Sequence, residues 1–171
     1  MSRRSVRTRN ASKPAGMAAA AAVLALIFST PTLADKKNVP FQASFAGLAW
    51  FDSPTSAVFQ GIGQASHLGR STNSGYLAPL IPILTSECEA GWGIPHINEE
   101  TLTAANGDQL VLIMMDLACP IAPNVFRGTG SWFVSHGTGR FSDATGSGIA
   151  SGGGDFNLGT FEFTLTGSIA Y

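Results

Sequence analysis

Phe161-Glu162-Phe163-Thr164-Leu165-Thr166-Gly167-Ser168-Ile169-Ala170-Tyr171 decides the fold class. Phe161, Phe163, Leu165, Ile169 and Tyr171 share one parity, and Glu162, Thr164, Thr166 and Ser168 share the other. Period two is the mark of a strand with one face in a core and one in water. At the other end of the same region Phe41, Ala43, Phe45, Ala49 and Phe51 alternate with Gln42 and Ser44. Strands at both ends of the region are what a barrel needs for closure.

Between them the chain reads as a succession of short strands and turns. Asp52-Ser53-Pro54 is a turn, and Ala57 to His67 is a strand whose one face carries Ala57, Phe59, Gly61, Gly63, Ala65 and His67. Small residues along one strand face border either a tight barrel corner or a cavity. Pro79 and Pro82 predict an edge or interrupted strand over Gly75 to Leu84, because each removes a ladder donor. Cys88 to Asn98 reads as a loop, and Asn106-Gly107-Asp108 as the tip of a hairpin whose arms are Thr101–Ala105 and Gln109–Leu117. The apolar run Leu110 to Met115 predicts burial on both faces. Phe126 to Val134 is a further strand, and Ser151-Gly152-Gly153-Gly154 reads as the last turn. Seven or eight short strands without a persuasive helix predict an all-β sandwich or barrel.

Composition agrees, with 20 glycines and 12% charged residues in 171. Arg3, Arg4, Arg7, Arg9 and Lys13 precede an apolar run from Met17 to Phe28, and Thr32-Leu33-Ala34 follows Pro31. This layout predicts a secretory signal over residues 1–34, cleaved after Ala34, and a barrel domain over 35–171. The rival is an uncleaved anchor, for which the run is short. Cleavage leaves five basic against eleven acidic residues, a net charge near −6. Nucleic acid is thereby excluded as a partner, and no membrane anchor remains. The expected location is secreted or periplasmic, where Cys88 and Cys119 would form a disulfide rather than stay two buried thiols.

No catalytic constellation emerges. His67, His96 and His136 are too scattered for a preformed metal pair, so no metal is expected. A Gly-x-Ser-x-Gly elbow is lacking, and Gly61-x-Gly63 and Gly146-x-Gly148 lack the other parts of a phosphate-binding loop. Neither a cofactor nor an assigned catalytic residue follows. The candidate ligand-binding residues are His67 and Arg70, polar groups at a barrel mouth, with Gly61 and Gly63 on the small-residue face.

Three segments carry a resemblance: Ala65-Ser66-His67-Leu68-Gly69-Arg70, Ala104-Ala105-Asn106-Gly107-Asp108-Gln109-Leu110, and Gly137-Thr138-Gly139-Arg140-Phe141-Ser142-Asp143-Ala144-Thr145-Gly146. Together they resemble secreted bacterial proteins of the allene oxide cyclase barrel-like, dirigent-like group. His136 stands where the third segment usually has its first glycine. The resemblance implies an eight-stranded antiparallel, lipocalin-like (calycin) barrel. The apolar alternation with a small-residue face at Gly61, Gly63 and Ala65 points to a non-enzymatic exported barrel that binds a small apolar molecule or serves in the cell envelope. The resemblance implies the alternative, a cyclase or isomerase guiding ring closure or coupling of a hydrophobic substrate.

Overall fold

The computed structural model describes residues 36–171, so the signal expected over 1–34 lies outside the described residues. Nine strands follow in order: β1 Val39–Ser53, β2 Ser56–Ala65, β3 Gly69–Ala78, β4 Ile83–Leu84, β5 Trp92–Ala104, β6 Gln109–Ala122, β7 Val125–Gly137, β8 Thr145–Asp155 and β9 Thr160–Ala170. A 3-10 turn, Gly139–Phe141, sits between β7 and β8.

Every pairing is antiparallel. Eight strands form a ring, β1-β2-β3-β5-β6-β7-β8-β9, which the β1–β9 pairing closes; β4 lies outside it and pairs only with β5. Closure removes the sheet edges that would otherwise invite association.

The parity read from β9 runs round the whole ring. Phe41, Ala43 and Phe45 of β1, Leu102 and Ala104 of β5, Leu110, Leu112 and Met114 of β6, Trp132 of β7, and Phe163, Leu165 and Ile169 of β9 form one core cluster. Burying each large side chain contributes roughly 1.5–3 kcal/mol. Outward positions such as Gln42, Ser44, Gln64, Thr72, Ser74, Thr164 and Thr166 are exposed. Other outward positions carry exposed apolar side chains, among them Leu48, Ile62, Ile97, Phe133 and Ile149.

Several local expectations are corrected. The third strand starts at Gly69 and ends at Ala78, before Pro79, and as a full member of the ring it pairs with both β2 and β5. β5 begins at Trp92, so Trp92 to Asn98 is strand and not loop. Pro95 is tolerated because β3 ends opposite Ile97, leaving β5 without a β3 partner there. Ser151 to Gly154 belongs to β8, and the turn lies beyond it, where Asp155 Oδ1 accepts hydrogen bonds from the backbone of Asn157 and Leu158. The β6 run is buried on its inward face at Leu110, Leu112 and Met114, and on the other face the burial expected there holds at Val111, weakens at Ile113 and is lost at Met115, 48% exposed.

Candidate functional site

The two ends of the barrel differ. At one end Phe141, wholly buried, enters the barrel from the 3-10 turn and packs with Leu68, Leu110 and Ile169 in the core cluster. Phe41 and Trp132 meet edge to face at 5.4 Å just inside. That end is closed.

The opposite end holds a cavity of about 290 Å³. Its walls come from the ends of strands that converge there: Phe59 of β2, Leu77 of β3, Met114 and Ala118 of β6, Ala150 to Gly154 of β8, and Phe161 and Phe163 of β9. β8 presents Gly146, Gly148, Ala150, Gly152 and Gly154 to the interior, so this wall carries almost no side-chain bulk. On the neighbouring strand β9 Phe161 lies 5.0 Å from Phe59 and 5.9 Å from Phe163, centroid to centroid. The rim includes Pro54 and Leu80, whose segments are joined by the Leu80 amide donating to Thr55 O at 2.8 Å. Cys88 and Cys119 form a disulfide at the same end, with Cα atoms 5.3 Å apart, fastening the β3–β5 connection to β6 beside Ala118. The expected bond is present.

The inward-facing polar groups beside the cavity gather on β5 and the neighbouring β6. His96, Asn98 and Glu100 occupy successive inward positions of β5, about 7 Å apart as alternate residues of a strand. β5 is four strands from β9 either way round the ring, so this polar line faces Phe161 and Phe163. Asp116 of β6 pairs with His96 in register, and its Oδ2 lies 3.9 Å from His96 Nε2. His96 Nδ1 is 3.1 Å from Ile94 O, which fixes the ring's orientation. Burial raises the Asp116 carboxyl above its ordinary range, against the opposing pull of His96. A Cβ at Gly130 would collide with Asp116 Oδ1, so this glycine makes room for the carboxylate.

Deeper in, Glu100 is wholly buried and its Oε1 accepts a hydrogen bond from Asn73 Nδ2 at 2.8 Å. Burial pushes its pKa from 4.5 to about 8, with Asn73 and Asn98 offsetting only part of the desolvation. Glu100 Oε2, Asn73 Oδ1 and Asn98 Oδ1 have no partner among the described residues. Three acceptors without a donor call for a proton, and a neutral Glu100 supplies one. At neutral pH the group is a carboxylic acid in an apolar barrel.

The residues singled out from sequence lie elsewhere. His67 occupies the β2–β3 turn with φ 67°, and its Nε2 is 3.0 Å from Pro40 O. Arg70 is exposed at the start of β3, so both belong to the closed end. Gly61 and Gly63 face inward but do not line the cavity: a Cβ at Gly61 would press on Asn73 Oδ1 at 2.8 Å, and one at Gly63 on the Phe45 ring at 2.6 Å. Their smallness makes room for neighbouring side chains.

The three segments behind the family resemblance meet at the closed end. Arg140 donates to His67 O, faces Asp108 Oδ2 at 3.6 Å and lies 4.9 Å over the Phe141 ring. These motif residues hold the plug in place. Comparison with known proteins found no matching family model, curated protein or solved structure.

Asn98 and Glu100 escaped the sequence reading, which weighed His96 only as a metal ligand. The signal was available in parity: counting back by twos from Leu102 places Glu100, Asn98 and His96 on the core face. A carboxylate on a core parity is a marker of a site.

Proposed function

We propose that this is an exported barrel that takes a small, mostly apolar molecule through its open end and holds it non-covalently. The cavity carries the reading: about 290 Å³, walled by aromatic rings and by a glycine-rich strand, with few polar groups. That volume sits at the lower edge of ordinary small-molecule sites, which run from roughly 300 to 1,000 Å³. The disulfide at the rim supports a secreted or periplasmic setting, since such bonds persist in oxidising compartments.

Binding of the neutral dye Nile red, followed by fluorescence, tests the proposal. Gly154 lines the cavity, and a Cβ there would lie 3.4 Å from Phe156 Cε2 and Thr160 O, so a larger side chain fits and extends into the opening. The wild type should bind with a dissociation constant on the order of micromolar, and Gly154→Leu should bind at least about tenfold more weakly with unchanged melting temperature. Absence of dye binding, or equal binding by the variant, would contradict it.

A second reading, a cyclase or isomerase like the plant allene oxide cyclases and dirigent proteins, draws support from the raised Glu100 carboxyl and the His96–Asp116 pair beside an apolar space. Ring closure and isomerisation conserve mass. A hydrophobic compound recovered after incubation with the same mass but a new chromatographic retention would favour this reading; unchanged retention favours binding alone.

A further inference from the structure

We infer that the molecule taken up carries a hydrogen-bond-donating cationic head, a primary or secondary ammonium, on its apolar body. The inference rests on the reading that the cavity binds a small apolar molecule, and concerns what the polar line selects.

The inward-facing polar atoms beside the cavity are mostly acceptors. Asn98, 4% exposed and part of the lining, has an Oδ1 without a partner among the described residues, as has Asp116 Oδ1. Asn98 pairs with Met114 and Asp116 with His96, which makes Asn98 and Asp116 diagonal neighbours on adjacent strands. Diagonal positions place Cβ atoms roughly 7–8 Å apart or a little less, a gap that one nitrogen can bridge by donating to both side chains. The ammonium supplies donors that these buried acceptors lack.

Charge points the same way. Within the described strands Arg70 is on the outside at the closed end, and Arg127, which borders the opening of the cavity, is already paired with Glu162 at 3.1 Å. His96 is engaged by Ile94 O through Nδ1 and faces Asp116 through Nε2. A carboxylate head would therefore meet no free cation and would lie against Asp116. An ammonium would instead neutralise a buried carboxylate, and Phe161 and Phe163 opposite would cover the apolar body.

Calorimetric titration with three ligands sharing one body tests this: 2-phenylethylamine, 2-phenylethanol and phenylacetate, at neutral pH. The amine should bind about tenfold more tightly than the alcohol, and phenylacetate more weakly than either. Asp116→Asn should cost the amine about tenfold and the alcohol at most about twofold, since it keeps an acceptor and loses the charge. If that variant does not fold, the wild-type series decides. An alcohol or carboxylate that matches or exceeds the amine overturns the ammonium head and leaves the apolar cavity standing. Binding of Nile red with none of the three also overturns the head; no binding of Nile red either overturns the reading beneath it.

Discussion

Asn73 Nδ2 donates to Glu100 Oε1 at 2.8 Å on the inner face of the barrel, joining the neighbouring strands β3 and β5 through their side chains. The two residues are 3% and 0% exposed, so the bond forms beyond the reach of water. A carboxyl buried this way is stable as the neutral acid, and its ionisation works against folding.

Stability should therefore fall as pH rises. The folded-state pKa of Glu100 is about 8 against 4.5 for the free side chain, so between these values the folded chain holds a proton that the unfolded chain has lost. The contribution is complete below pH 4.5, declines by on the order of 1 kcal/mol per pH unit through the window, and levels off above about 8. Glu100→Gln keeps an amide donor at this position and removes the ionisation. Urea denaturation at about pH 5, 7 and 9 should show the wild type losing stability while the variant holds level. Equal slopes for the two proteins would show that Glu100 does not titrate in this range.

Gly139 should tolerate no side chain. Its φ is 57°, and a Cβ there would collide with the Asp108 carboxylate. Gly139→Val should destabilise by at least about 1–2 kcal/mol, and Phe141→Ala, which empties the plug, by about 3–5 kcal/mol. Thermal melts of the two variants check this. A change below about 0.5 kcal/mol in Phe141→Ala, the level of a surface substitution, would deny that the closed end depends on Phe141.

The Cys88–Cys119 bond closes a separation of 31 residues, and its removal should cost roughly 3–4 kcal/mol on the chain-entropy account. Intact mass with and without reductant should differ by two hydrogens, and denaturation of the reduced protein should show the loss. Labelling of both thiols in the native, unreduced protein would mean that the bond does not form.

The fold was legible where side-chain bulk alternates cleanly, as from Phe161 to Ile169 and from Phe41 to Phe45. It was obscured where glycine and proline mimic turns. Gly91, Gly93 and Pro95 concealed the first half of β5, and with it the inward positions of His96 and Asn98. Ser151 to Gly154 reads locally as a turn, yet inside a barrel Gly152 is small because the Phe163 side chain occupies the space beside it: a Cβ at Gly152 would lie 2.6 Å from that of Phe163. The site was missed for a related reason. His67 and Arg70 stand out beside turn residues, whereas Glu100 acquires its role only when β3 pairs with β5 and brings the Asn73 amide beside it.

Backbone NMR of the protein titrated with 2-phenylethanol tests the central claim most directly, because it reports which end of the barrel the ligand enters. Amide shifts should change at Met114, Ala118, Ala150, Gly152 and Phe163, which line the cavity, and stay unchanged at His67, Arg70, Gly61 and Gly63. Shifts concentrated at His67 and Arg70, or none at saturating ligand, would contradict a binding site at the open end.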